Sequence, residues 1–166
     1  AVAGAPTETR PVRHREPDWR PRPTLAGTDY TGQAVFDEER ERIWFDGWVC
    51  VGRSAEVEGA GDYIVRDLVG ESIVITRDRA GRPRAFYNVC AHRGTQLVDS
   101  EPDCGHVNKV FKCPYHAWSY DLEGRLIGTP NVHETEFFDR DDHPLHRVAA
   151  DEYGGFLFVS LAAEPE

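Results

Sequence analysis

Two short stretches, Cys90-Ala91-His92-Arg93-Gly94 and Cys113-Pro114-Tyr115-His116-Ala117-Trp118, decide how this chain reads. Each follows a run predicted as a strand, residues 84–89 before the first and 107–112 before the second, so each falls on a strand-ending loop. Two such loops side by side at one end of a sheet would present one thiolate and one imidazole apiece to a shared object. Structural zinc sites usually draw like ligands from each element and close a tetrahedron around one ion. One Cys and one His per loop suits a binuclear iron–sulfur centre better, with the cysteines on one iron, the histidines on the other and sulfides between them. A zinc-stabilised interaction module, which would be colourless, is the alternative metal reading.

Outward from these loops, short apolar or alternating runs recur at 48–51, 63–68, 72–76, 84–88, 107–112 and 156–161. Turn chemistry separates them at 59–61, 78–81 and 121–124. The pattern predicts a mainly β body over residues 48–164, an antiparallel β-sandwich or barrel with two cluster-binding loops. Residues 130–146 are polar and irregular and read as a loop lying over the sheet. Upstream, Thr31 is a plausible N-cap, and Phe36, Ile43 and Trp44 mark one face of a helix running to Phe45 and closed by Gly47. Glu38 and Arg42 stand four apart in support, giving a helical lead-in over 31–47. Residues 1–30 are rich in Pro and Arg without an apolar period and read as an extended, poorly ordered arm.

Composition limits the function classes. With 166 residues, 40% of them hydrophobic, the chain is long enough for one domain with a core and too short for two large ones. No apolar run approaches the roughly 18 residues of a membrane helix, and the first residues lack a basic and apolar leader, so a cytoplasmic protein is expected. The net charge of −10 argues against nucleic-acid binding and favours docking to a basic protein patch. Lys109 and Lys112 are the only lysines among many arginines, which reads as coding bias. The four cysteines, Cys50, Cys90, Cys104 and Cys113, could form disulfides, but a chain without a leader and with material for a core points first to metal binding.

The remaining chemistry-bearing residues have plainer readings. Cys50, in a strand, reads as a small buried hydrophobe, and Cys104 as a loop residue. His14, His106 and His133 read as surface histidines. His143 and His146, close to Asp139, Asp141 and Asp142, suggest a facial triad for iron, but Pro144 argues against a helix there and solvated loop residues are the better reading. Trp118 and Tyr120 are expected to pack beneath the cluster.

The chain resembles the Rieske non-haem iron oxygenases, in particular their α (terminal oxygenase) subunits. The resemblance covers about residues 30–161 and rests on Phe86-Tyr87-Asn88-Val89-Cys90-Ala91-His92-Arg93-Gly94, on Cys113-Pro114-Tyr115-His116-Ala117-Trp118-Ser119-Tyr120-Asp121 and on Glu152-Tyr153-Gly154-Gly155-Phe156. The helix ending at Ile43-Trp44 and the Trp48-Val49-Cys50-Val51-Gly52 after it are similar to the segment preceding that family's Rieske domain, and simple Rieske ferredoxins usually lack this helical lead-in. The resemblance implies a [2Fe–2S] cluster on Cys90, His92, Cys113 and His116. It also implies a function: relaying single electrons from a ferredoxin or flavin reductase to a mononuclear iron that activates O2. That Fe(II) would sit in a second domain absent from this chain, which should not turn over substrate alone. The whole enzyme would hydroxylate an aromatic ring or demethylate or oxidise a small substrate, as a homo- or hetero-oligomer. His116 would touch an acidic residue leading to the iron of an adjacent subunit. A free-standing Rieske ferredoxin is the other functional reading.

Charge accounts for the redox range. Two ferric ions, two sulfides, two thiolates and neutral imidazoles sum to zero, so one electron brings the cluster only to −1. Acceptance is therefore easier than at an all-cysteine cluster, consistent with roughly −150 to +300 mV. High-potential Rieske proteins carry a further disulfide between the loops. By resemblance its positions here are Thr95 and Tyr115, which implies the low end of that range.

Overall fold

The computed structural model describes residues 23–130, 132 and 137–165. Its strands are β1 (Val49–Arg53), β2 (Asp62–Leu68), β3 (Glu71–Arg77), β4 (Pro83–Tyr87), β5 (Cys104–His106), β6 (Val110–Lys112), β7 (Ser119–Asp121), β8 (Leu126–Gly128), β9 (Arg147–Tyr153) and β10 (Phe156–Ser160). They form a larger antiparallel sheet in the order β1-β10-β9-β4-β3-β2-β5 and a smaller one in the order β6-β7-β8.

The larger sheet carries a core on each face, and residue alternation explains why. Ile64 and Leu68 of β2, Ile73 and Ile75 of β3, Ala85 of β4 and Leu157 and Val159 of β10 line one side, together with Val57. Val74 and Phe86 point the other way, into a second core shared with Phe111, Tyr120, Leu122 and Leu126 of the small-sheet unit. Strand β3 is thus buried on both faces, which is why it reads as a continuous apolar run. Arg66 of β2 donates from Nε to the Val51 carbonyl of β1 at 2.9 Å, drawing two strands far apart in the sheet order together and curling the sheet. At the junction of the two sheets, Gly124 has φ +82 and faces the Phe86 ring so closely that a Cβ would overlap it. Only glycine meets both demands, and the Leu145 N–H fastens the same turn through the Gly124 carbonyl at 2.8 Å.

The mainly β, antiparallel architecture agrees with the sequence reading; several local expectations do not. The lead-in starts at Gly27, and Thr31 ends the first helix instead of capping it. Helices α1 (Gly27–Thr31) and α2 (Gln33–Glu39) meet at Gly32, and a π-helical turn Arg40–Phe45 follows. Gly32, with φ −76 and ψ 124, takes the N-cap place read for Thr31, and helical backbone then runs from Gln33 to Phe45. None of the three segments buries a residue. The expected strand 107–112 shrinks to β6, because the Val107 N–H is taken by the Gly61 carbonyl at 2.9 Å. Strands β5, β7 and β8 are too short to show a period, and β9 carries polar residues on its exposed half. Cys50 is exposed, not buried, because it lies on the outward face of β1 opposite Phe158. Most of the proposed arm, with His14 and His133, lies outside the described residues.

Candidate metal centre

Both signature stretches close in the same way. The Cys90 N–H donates to the Thr95 carbonyl at 2.8 Å, and the Gly94 N–H returns to the Cys90 carbonyl at 3.0 Å. In the second loop the Cys113 N–H donates to the Trp118 carbonyl at 2.8 Å and the Ala117 N–H to the Cys113 carbonyl at 3.1 Å. Each loop therefore needs a left-handed residue four places after its cysteine. Gly94 supplies φ +69 without strain, whereas Ala117 adopts φ +59 against its own Cβ.

Asn88 positions the first loop. Buried at the end of β4, its side chain donates to the Val98 carbonyl at 2.9 Å and the Ser72 hydroxyl at 3.2 Å, and accepts from Leu97 N–H at 3.2 Å and Val98 N–H at 3.1 Å. The second loop is set by the β6–β7 register, Phe111 opposite Tyr120 and Lys112 opposite Ser119. The loops meet at one end of the small-sheet unit.

There, Cys90 and Cys113 are each 2% exposed and lie beside one another, while His92 and His116 face outward with ring centroids 4.8 Å apart. The donors thus form an inner thiol pair and an outer imidazole pair. Among the described residues, no three or more His, Cys, Asp or Glu side chains gather as they would around a single ion. Burial pushes the Cys90 thiol up; the hydrogen bond with Tyr120 and a backbone contact at His92 partly offset this, and neighbouring Cys113 opposes ionisation further. A positive centre between the sulfurs is the natural remedy for two thiolates in so dry a place.

Tyr120 is fully buried, and its oxygen lies 3.2 Å from Cys90 Sγ while accepting the Ala91 N–H at 3.2 Å. Burial, then the contact with Cys90, pushes its hydroxyl far above the usual tyrosine range, so it keeps a proton that a thiolate at Cys90 can accept. His92 is held below its ordinary value by burial and by the neighbouring charges of His116 and Arg93, which favours the neutral imidazole a metal requires. Its ring stacks on Trp118 at 4.6 Å and 13°. His116 instead meets Tyr115 at 3.7 Å with the rings tilted by 32°, and Tyr115 is 59% exposed.

Other sequence readings meet mixed outcomes. Trp118 and Tyr120 are buried beneath the loops, as expected. Asp139 caps a 3-10 turn by accepting the Asp141 N–H at 2.9 Å, His146 is exposed, and no triad forms with His143. His143 is not a solvated loop residue, however: it stacks on Phe138 at 5.1 Å and 17° and meets Trp118 edge-on at 5.8 Å. Periodicity gave no signal for it, because the contact depends on how 137–146 crosses the small-sheet unit. Cys104 is exposed on β5, and His106 is exposed and paired with Asp62 at 2.7 Å.

The chain is similar to several known proteins. A family described as the Rieske [2Fe–2S] domain matches residues 47–139. The carnitine monooxygenase oxygenase subunit of Escherichia coli (strain K12) is 42% identical over 138 residues, 83% of this chain and 36% of that protein. The glycine betaine monooxygenase oxygenase subunit of Chromohalobacter salexigens is 39% identical over 136 residues, 82% of this chain and 30% of its own length. A solved quaternary ammonium Rieske monooxygenase, described for carnitine oxidation by gut microbiota and inter-subunit electron transfer, superposes with a TM-score of 0.76 at 37% identity over 84% of this chain and 37% of that one. The chain spans about a third of the length of the curated relatives it matches.

Proposed function

This chain belongs to the Rieske [2Fe–2S] domain family, and from that premise we propose that Cys90 and Cys113 hold one iron of the cluster and His92 and His116 the other. The observation that carries the assignment is the repeated loop closure, which leaves the thiols inside and the imidazoles outside. When bound, a cluster of this kind supplies reversible one-electron storage. The residues around it do the rest. The Tyr120 hydroxyl donates toward Cys90 Sγ, the buried Trp118 backs His92, and the second core keeps water from the sulfurs. The outward imidazoles give electrons the shortest way in and out.

The protein to which this chain corresponds is, in our reading, the oxygenase subunit of a monooxygenase acting on a quaternary ammonium compound, as the names of its relatives suggest. A ferredoxin or flavin reductase would deliver electrons, and the mononuclear iron of a catalytic domain, in the same or a neighbouring subunit, would receive them. Residues 48–164 would form the electron-transfer domain and the helical segments from Gly27 to Phe45 its lead-in. We place it in the cytoplasm, where thiols stay reduced; among the described residues no helix is long and apolar enough to cross a membrane. A free-standing ferredoxin is not favoured, because the similar proteins are oxygenase subunits.

Absorption and low-temperature EPR spectra of the purified protein, with iron, zinc and acid-labile sulfide analysis, test the assignment. Broad visible bands, two irons per chain and a rhombic signal on reduction are expected. A colourless protein holding one zinc and no sulfide would overturn it.

A further inference from the structure

The two outward imidazoles are not supported alike. Behind His116 lies Tyr115, largely in solvent. Behind His92 lies Trp118, only 4% exposed and itself in contact with two further rings. Phe138 meets the Trp118 ring edge-on at 5.8 Å, His143 meets it at the same distance, and Phe138 and His143 stack on each other at 5.1 Å. Four aromatic rings thus run from the His92 imidazole inward without interruption.

The backbone that carries His143 is pinned on both sides. Before it, Asp139 caps the turn Arg140–Asp142, and the His143 N–H donates to the Arg140 carbonyl at 3.0 Å. After it, Pro144 has a fixed φ, and Leu145, 2% exposed, plugs the second core while its N–H bonds to the Gly124 carbonyl at 2.8 Å. A ring presented in this way is fixed in place, and so is the indole it abuts.

We propose that His143 and Phe138 are positioning residues: together they lock the Trp118 indole, and through its stacked face they set the plane of the His92 imidazole, whereas His116 rests on the exposed Tyr115. The proposal rests on the assignment of His92 and His116 as cluster ligands. It makes His143 act as a flat aromatic surface, independent of its acid–base chemistry. Ring orientation matters because the overlap of an imidazole with its metal governs how much unpaired spin reaches the ring nitrogen.

The test is pulsed EPR of the reduced, cluster-loaded chain, which reads the hyperfine coupling of each ligating nitrogen. Wild type should show two distinct nitrogen couplings. In His143→Ala one of them should shift and broaden while the other stays, with iron content and thermal midpoint retained. His143→Phe, which keeps the flat ring, should restore the wild-type couplings. Unchanged couplings in His143→Ala, or the same disturbance in His143→Phe, would overturn the proposal. Should His143→Ala lose iron, Phe138→Leu takes its place: a disturbance of one coupling supports the idea, and wild-type couplings refute it. Failure of the ligand assignment itself is told apart at the first step, because wild type would then lack the pair of nitrogen couplings.

Discussion

Tyr120 and Ala117 show how much single residues do here. The Tyr120 hydroxyl, kept protonated by its surroundings, would donate to a ligating thiolate at Cys90, 3.2 Å away, and so favour the more negative, reduced state of a cluster held there. We expect Tyr120→Phe to retain the cluster and lower its reduction potential, as followed by spectroelectrochemical titration; an unchanged potential would mean that this hydrogen bond is not made to a ligating sulfur. Ala117 holds the left-handed position that Gly94 holds in the other loop. A Cβ there costs about 1–2 kcal/mol, and removing it returns about 0.4–1 kcal/mol of entropy to the unfolded chain. Ala117→Gly should therefore be neutral to stabilising by about 1 kcal/mol, and Gly94→Ala destabilising by a similar amount, in chemical denaturation. Both changes are steric on the backbone alone, since a Cβ at Gly94 would touch nothing closer than Val89 Cγ2 at 4.0 Å.

The β3–β4 hairpin is organised by one carboxylate. Asp78 is fully buried, accepts the Ala80 N–H at 2.8 Å and the Arg82 N–H at 2.9 Å, and pairs with the side chains of Arg82 at 3.1 Å and Arg84 at 2.9 Å. Burial by itself would raise this carboxyl; the bonds from Arg82, Arg84 and Ala80 outweigh it and hold the group below the usual carboxylate range. A carboxylate lowered on folding contributes its stability above the unfolded value, about pH 4, and loses it as the pH falls through the folded value. Asp78→Asn should thus cost about 1–3 kcal/mol at neutral pH and flatten the acid limb of the stability curve below about pH 4. A parallel acid limb in the variant would show that other carboxylates govern it. Since β4 leads directly into the Asn88 network, this hairpin also sets where the first loop begins.

At the scale of the molecule, stability and exposure divide along the chain. The two cores are continuous through β3, so Phe111→Ala, at a fully buried ring, should cost about 3–5 kcal/mol and release the cluster loops with it. The lead-in behaves differently. Phe36 is 50% and Ile43 55% exposed, and no residue of these helices is buried. Phe36→Ser and Ile43→Ser should each shift stability by less than about 1 kcal/mol in thermal or denaturant unfolding. A larger loss would show that the lead-in is part of the folded body.

How much was legible in advance follows from the range of each interaction. Cys90, His92, Cys113 and His116 stand out because ligand type and spacing are local properties of the chain, and β2, β3, β4 and β10 stand out as short apolar or alternating runs bounded by turn residues, which is likewise a local property. The sequence by itself therefore determined the mainly β class, the two loops and the donor set offered to a metal. Tertiary structure alone decided the rest. The three-residue strands β5, β7 and β8 exist only because a partner satisfies their backbone groups, and Cys50 is exposed only because its face of the sheet is left uncovered. Ala117 is forced left-handed by a hydrogen bond that closes its loop. His143 reaches Trp118, 25 residues away in sequence, because the segment carrying it is pinned across the small-sheet unit. Contacts between distant segments are set by how the folded layers meet, and no local period records them.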